Sequence, residues 1–422
     1  MPHASLPDVR RRRLASQRLT AAGLARGADV VRLLTCVQSQ DAALAAWSLG
    51  QRMRPGVRYA DVLREQSSGG WVRTHILRPT WHFVAPEDLR WVQAATGSRI
   101  ESSLAGRHRQ LDLPPAAIER ALESLRELLT GPAPMTRAEL TAAFAARGLP
   151  SGGEQMAHQL VVAELRAVIC SGPPRGTTHT YVLADETVPP APLDGLGVDD
   201  ARRELTRRFV AGHGPASERD LARWATLTLG QVRAALADLA GELEQVEVGG
   251  ETLWVDPATP SRTTRPVRAF LLQTFDEVCL TYPTTGFPRR APDTTRTRLL
   301  SEAGGGIVVL DGEDVGTWKR TVGRESVAVD LRPDLPLSAD DDAQVGEAAE
   351  RLAMFIGRPL DLRLHPPGLS PAAPDGTKGV ASSARDTTPS GVPEAGRGPQ
   401  LWGRRGGRLG RSAARGDLSR GG

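Results

Sequence analysis

Gln38 and Gln40 flank a serine in Val37-Gln38-Ser39-Gln40-Asp41, and two amides this close along a chain can do chemistry if their side chains converge. A glutamine offers a carbonyl acceptor and an NH2 donor, but at neutral pH it is neither a general acid nor a strong base. It can orient a water and set a carbonyl dipole against a developing positive centre. On a continuous helix the two would point ~200° apart, so they share a site only where the backbone opens into a turn or an extended step. Spacing alone leaves two other readings open. Paired glutamines occur as surface residues or caps, and Asp41 reads either as an electrostatic partner or as a helix-end carboxylate. A second cluster lies in Trp71 to Val84, where Arg73, His75, Arg78, Thr80 and His82 sit on a hairpin pattern with its turn at Leu77 to Thr80. Its histidines read as phosphate or base-edge contacts, or as cross-strand packing against Trp71 or Trp81.

Other chemistries find little support. Cys36, Cys170 and Cys279 show no CxxC spacing, and the eight histidines are scattered without HxxxH or HExxH pairing, so neither a metal nor a cofactor is expected. No stretch approaches the ~18 apolar residues of a membrane span. The N-terminal pattern around Arg10 to Arg13 is amphipathic, so a cytoplasmic location is expected.

The net charge of +4 hides a gradient. Residues 1–120 hold 18 Arg, no Lys and 10 acids, whereas residues 121–365 hold 26 basic and 35 acidic side chains. The basic surplus of Arg10 to Arg13, Arg52, Arg54, Arg58, Arg73 and Arg78 suits a polyanion-facing part; a solvated face in an arginine-rich chain is the alternative.

The elements that position these residues read as a repeated order. Between Asp199 and Asp256 come a helical stretch, a capping box at Ser217 to Asp220 opening a second helix, and a third helix with Leu229, Val232, Leu236 and Leu239 on one face. A hairpin turning at Gly249-Gly250 follows, which makes a winged helix-turn-helix. The order recurs from Pro115, with a capping box at Thr136 to Glu139, and again at the N-terminus. There helical patterns over Arg10 to Ala22, Asp29 to about Met53, and Tyr59 to Gln66 lead into the Arg- and His-rich hairpin. The third helix of the 199–256 unit carries Arg233 as its one cation, with Asp238 and Glu242 after it, which argues against a simple operator reader. Residues 265–365 read as strands and one helix, with Asp311-Gly312 as a hairpin turn. From Pro366 to Gly422 the chain holds 13 Gly and 7 Pro in 57 residues, a composition that predicts disorder.

Gln38-Ser39-Gln40, the Arg78-Pro79-Thr80-Trp81-His82-Phe83-Val84 hairpin, Phe275-Asp276 and Gly316-Thr317-Trp318-Lys319-Arg320 together resemble the AlkZ-like winged-helix DNA glycosylase family over about residues 10–365. The resemblance implies a C-shaped protein of tandem winged helices whose basic concavity holds duplex DNA. It implies that Gln38 and Gln40 lie by the scissile N-glycosidic bond and that residues 71–84 probe the duplex. Amides suffice there if the leaving base is already cationic, as N7- or N3-alkylated purines are.

The expected architecture is therefore α+β: winged helix 1 (1–114), winged helix 2 (115–198), winged helix 3 (199–264), a small β-rich domain (265–365) and a disordered tail (366–422). The expected activity is that of a monofunctional DNA glycosylase, acting as a monomer on double-stranded DNA. Gln38 and Gln40 are catalytic, Asp41 gives electrostatic support, and Arg52, Arg54, Arg73, His75, Arg78, Thr80 and His82 contact DNA. The alternative is a non-enzymatic winged-helix DNA-binding protein such as a transcriptional regulator.

Overall fold

The computed structural model describes residues 3–131, 133–176, 178–260, 263–264, 267–282, 286–290 and 304–367. All but Pro366 and Pro367 of the tail expected to be disordered lies outside them. One order of elements, helix, strand, two helices and two strands, runs through the molecule. It appears first as the helix Gly27–Leu34, β1 (Cys36–Gln38), the helices Ala42–Arg52 and Tyr59–Ser67, and β2 (Val72–His75) with β3 (Trp81–Val84). It returns as the helix Pro115–Leu129, β4 (Met135–Thr136), the helices Arg137–Ala146 and Gly153–Leu165, and β5 (Ile169–Ser171) with β6 (Thr180–Leu183). In both cases the first strand joins the outside of the hairpin, giving sheet orders β1-β3-β2 and β4-β6-β5. The third passage has the helices Val198–His213, Glu218–Trp224 and Leu229–Asp238 and the hairpin β7 (Glu244–Val248) with β8 (Glu251–Val255). Here the first strand shrinks to a single bridge from Ala216 to Trp254.

The capping boxes form where their sequence places them. Thr136 accepts from the Glu139 N–H and Ser217 from the Asp220 N–H, each satisfying an orphan donor of the helix it opens. Two expected helical stretches differ. The N-terminal helix is Leu6–Ser16, and its Val9 packs with Val246, Val248, Leu253 and Val255 of the third repeat instead of joining the first. The apolar run from Asp29 to Met53 is not one helix. Thr35 adopts φ 63°, a conformation unfavourable for a β-branched residue, and ends the helix Gly27–Leu34; β1 and a bend follow before the helix Ala42–Arg52 begins.

The C-terminal sheet has the order β13-β12-β11-β10-β9, with strands Leu360–Leu364 (β13), Val327–Pro333 (β12), Glu313–Val322 (β11), Gly305–Leu310 (β10) and Ala269–Gln273 (β9). Asp311 and Gly312 both take positive φ between β10 and β11, as a tight two-residue hairpin requires. The helix Ala339–Ile356 covers this sheet, and its Val345, Leu352 and Phe355 share one core with Leu271, Val308 and Val329 and with Val31, Trp47 and Leu49 of the first repeat. A second core joins Cys36, Val72, Ile76 and Val84 to Leu205, Phe209 and Trp224 of the third repeat and to Phe270 and Val278. β1 therefore lies at a seam where the first repeat, the third repeat and the C-terminal region meet. No helix among the described residues is long and apolar enough to cross a membrane.

Candidate active site

The chain is extended through Gln38 and turns into a bend at Gln40. Gln38 stands opposite His82 in the β1–β3 ladder, and the Ser39 N–H continues it by donating to the Trp81 carbonyl at 2.7 Å. The strand ends there, and Gln40 and Asp41 lie on a bend before the helix Ala42–Arg52, so the backbone opens at the motif, which is the condition for the two amides to act together. Two further contacts fix the segment. Arg73 donates twice to the Ser39 carbonyl, from Nε at 3.2 Å and Nη2 at 2.9 Å, while its guanidinium lies 4.2 Å from the Trp81 ring centroid. Burial lowers the Arg73 pKa to about 10, against the pull of Glu164, so it stays charged at neutral pH. At the other end Asp41 caps the helix Ala42–Arg52, its Oδ1 accepting from the Leu44 N–H at 2.9 Å.

The two glutamines differ in environment. Gln40 is half-buried on the bend, and its amide makes no hydrogen bond to a described residue. Gln38 is 4% exposed and tied at two points. Its Oε1 accepts from Arg78 Nη2 at 2.9 Å, and its backbone N–H donates to Glu277 Oε1 at 2.8 Å. Arg78 also donates from Nη1 to the Trp224 carbonyl at 2.8 Å and from Nη2 to His82 Nε2 at 2.9 Å. The arginine can only donate, so His82 Nε2 is an acceptor, and Nδ1 carries the proton given to the Thr80 carbonyl at 2.9 Å. Burial, reinforced by the Arg78 charge, lowers the His82 pKa to about 3, which keeps the ring neutral. Burial also lowers the Arg78 pKa, with Glu277 opposing.

Glu277 is the member of this network that sequence reasoning missed. It is buried, and its Oε2 accepts from Trp224 Nε1 at 2.7 Å with His213 Nε2 at 3.8 Å. Burial would raise its pKa, but His213 and the Arg78 charge together bring it down to about 2, so a carboxylate sits beneath the first glutamine. The signal available was its place directly after Phe275-Asp276.

Several residues expected at a DNA surface are interior. Arg52 is fully buried, with Nη1 and Nη2 on the two Asp276 oxygens at 2.9 and 2.7 Å and a further bond to Gln17. His75 bonds the buried Glu164 through Nδ1 and packs against Trp81, their centroids 4.2 Å apart. Trp81 in turn meets His179 of the second repeat. His82 is inaccessible, and Arg78 and Thr80 are half-buried, with Leu77 before them and Pro79 between them buried. The hairpin expected to probe a duplex is thus largely covered, its tip by Trp224 of the third repeat and its strands by Glu164 and His179 of the second, with Arg78 and Thr80 keeping partial exposure. Arg10 and Arg13 are likewise committed, to the carbonyls of Gly286 and Pro215. Arg54, in contrast, is exposed.

A half-buried cation that holds one amide and is itself held by a neutral histidine, next to a second amide left free, can bind and orient neutral or cationic groups but offers no group poised to give up a proton near pH 7. Comparison with known proteins agrees in kind. The family model described as "DNA glycosylase AlkZ-like" matches residues 31–355. A curated "Interstrand DNA cross-link repair glycosylase" of Streptomyces sahachiroi is 28% identical over 317 residues, covering 69% of this chain and 81% of its own length. The solved structure of the Streptomyces sahachiroi DNA glycosylase AlkZ superposes with a TM-score of 0.69 at 24% identity, over 86% of this chain and all of that one. This chain belongs to the AlkZ-like DNA glycosylase family.

Proposed function

We propose that the protein is a monofunctional DNA glycosylase that hydrolyses the N-glycosidic bond of alkylated or crosslinked purines in duplex DNA, with Gln38 and Gln40 at the scissile bond. The observation that carries this reading is the opening of the backbone at Gln38-Ser39-Gln40 from strand into bend, with one amide anchored and the other unbound, at the seam of a chain that matches the family along most of its length. In the reaction the bond from C1′ to the base nitrogen breaks, and its electron pair neutralises the cationic base. Water adds to C1′ and loses its proton to solvent, leaving an abasic sugar. A cationic leaving group removes the need for an acid, which neither glutamine can supply. Removal of a neutral base would need one.

The repeated element order supports three tandem winged helices, each closed by a hairpin, followed by the C-terminal sheet. A lyase route would require an amine nucleophile, and among the described residues the one lysine is Lys319, on β11 of the C-terminal sheet. The exposed Arg54 is proposed to contact phosphate. Arg73, His75, Thr80 and His82 act by holding the site instead of touching DNA.

The test is incubation of a duplex carrying 7-methylguanine, and of a duplex carrying an interstrand purine crosslink, with wild type, Gln38→Ala and Gln40→Ala. Abasic sites formed by wild type and lost in both variants support the reading. Equal release by all three proteins would remove the glutamines from the mechanism, and no release from either duplex by wild type would refute the substrate class.

A further inference from the structure

Gln38 and Gln40 carry the same side chain, yet only one has its orientation imposed by the protein. An arginine donates and never accepts, so the atom of Gln38 facing Arg78 Nη2 at 2.9 Å must be the carbonyl oxygen. A flipped amide would set its NH2 against the guanidinium, donor against donor. His82 holds the same Nη2 from the other side, the Trp224 carbonyl holds Nη1, and Glu277 holds the backbone N–H of Gln38. With the carbonyl engaged, the two hydrogens of Nε2 remain, and no described residue accepts them.

We propose that Arg78 is a positioning residue that fixes Gln38 as a hydrogen-bond donor in the site, leaving the free amide of Gln40 to supply the carbonyl. This rests on the glycosylase reading above. Gln38 then donates to an electron-rich partner, either the purine nitrogen that gains density as the base departs or the oxygen of the bound water. Gln40 presents its dipole to the sugar cation. Arg78 touches neither substrate nor water.

The test compares Arg78→Ala, Arg78→Lys, Gln38→Ala and Gln38→Glu in single-turnover release of 7-methylguanine, with duplex affinity and thermal unfolding measured for each protein. A glutamate at position 38 keeps the acceptors and loses both donors, so Gln38→Glu is expected to be as slow as Gln38→Ala, about a hundredfold below wild type. Arg78→Ala is expected to lose at least about tenfold in rate with little change in affinity, because the amide is free to rotate. Arg78→Lys, which restores one donor to Oε1, is expected to recover part of that loss. A Gln38→Glu rate near wild type would overturn the proposal, as would an Arg78→Ala rate near wild type or an Arg78→Lys variant no better than Arg78→Ala. If Arg78→Ala does not fold, Arg78→Lys and Gln38→Glu still decide. Wild-type release by Gln38→Ala would instead overturn the assignment of Gln38 to the reaction.

Discussion

The hairpins of the first and third repeats share a topology and differ in where their polar groups point. In the third, Val246, Val248, Leu253 and Val255 alternate inward onto Val9, while Glu244, Gln245, Glu247, Thr252 and Trp254 keep some exposure, as expected of a strand pair with one wet face. In the first, Thr74, His75 and His82 are buried beside Val72, Phe83 and Val84, and Arg73 and Arg78 are drawn in to bond backbone carbonyls. One pattern of strands is thus half exposed in one place and buried in another. What separates them is the packing of the second repeat, the third repeat and the C-terminal region against the first hairpin, which brings Glu164 and His179 to its strands and Trp224 and Glu277 beside its tip.

That difference can be broken experimentally, beginning with the largest expected effect. Arg52→Met leaves Asp276 charged and unpaired in the core and should lower unfolding free energy by about 3–5 kcal/mol in urea titrations. His82→Ala removes one of the three acceptors of Arg78 and should cost about 1–3 kcal/mol. Gln245→Ala, on the wet face of the third hairpin, should stay within ~0.5 kcal/mol. Equal costs for these two would erase the contrast between the hairpins.

Acidification sharpens the contrast. The His82 ring titrates at about 3 in the fold against 6.5 in a free histidine, so its contribution to stability is complete above pH 6.5 and is lost as pH falls toward 3. Glu277, at about 2 against 4.5, contributes fully above pH 4.5 and loses that contribution as pH falls toward 2. Thermal midpoints of wild type should therefore drop on acidification from pH 6.5. His82→Gln, which keeps an acceptor for Arg78 but cannot titrate, should flatten part of that drop between pH 6.5 and 5. A residual slope is expected from His179 and His158, whose pKa values burial lowers to about 3 and about 4. The smallest effect on stability belongs to Arg54→Ala, within ~0.5 kcal/mol. If Arg54 contacts phosphate, that variant reduces the salt dependence of DNA binding by a slope of about 1.

The same packing marks the limit of what could be read from sequence. Capping boxes at Thr136 and Ser217 and the Asp311-Gly312 turn were legible because each is local, with its partner within four residues. The break at Thr35 was not, because Val30, Val31 and Leu34 on the helix and Val37 on β1 are all buried, and the apolar run passes through both elements without a turn residue. The order of the C-terminal sheet depends on pairings such as β12 with β13 that no local pattern encodes. Gln38 and Gln40 were legible as a motif, but their inequality was not. Glu277 reaches Gln38 across 239 residues of chain, and an arginine such as Arg52 or Arg78 carries no mark of whether its charge meets phosphate or a buried carboxylate.

The most direct test of the account sets the glutamine motif held against the first hairpin beside the third hairpin in one assay. Single-turnover release of 7-methylguanine from duplex DNA is measured for the Gln38→Ala/Gln40→Ala double variant and for Gln245→Ala/Thr252→Ala on the third hairpin. The account predicts a loss of at least about a hundredfold in the first and a rate close to wild type in the second. A double glutamine variant that releases base at the wild-type rate would contradict it.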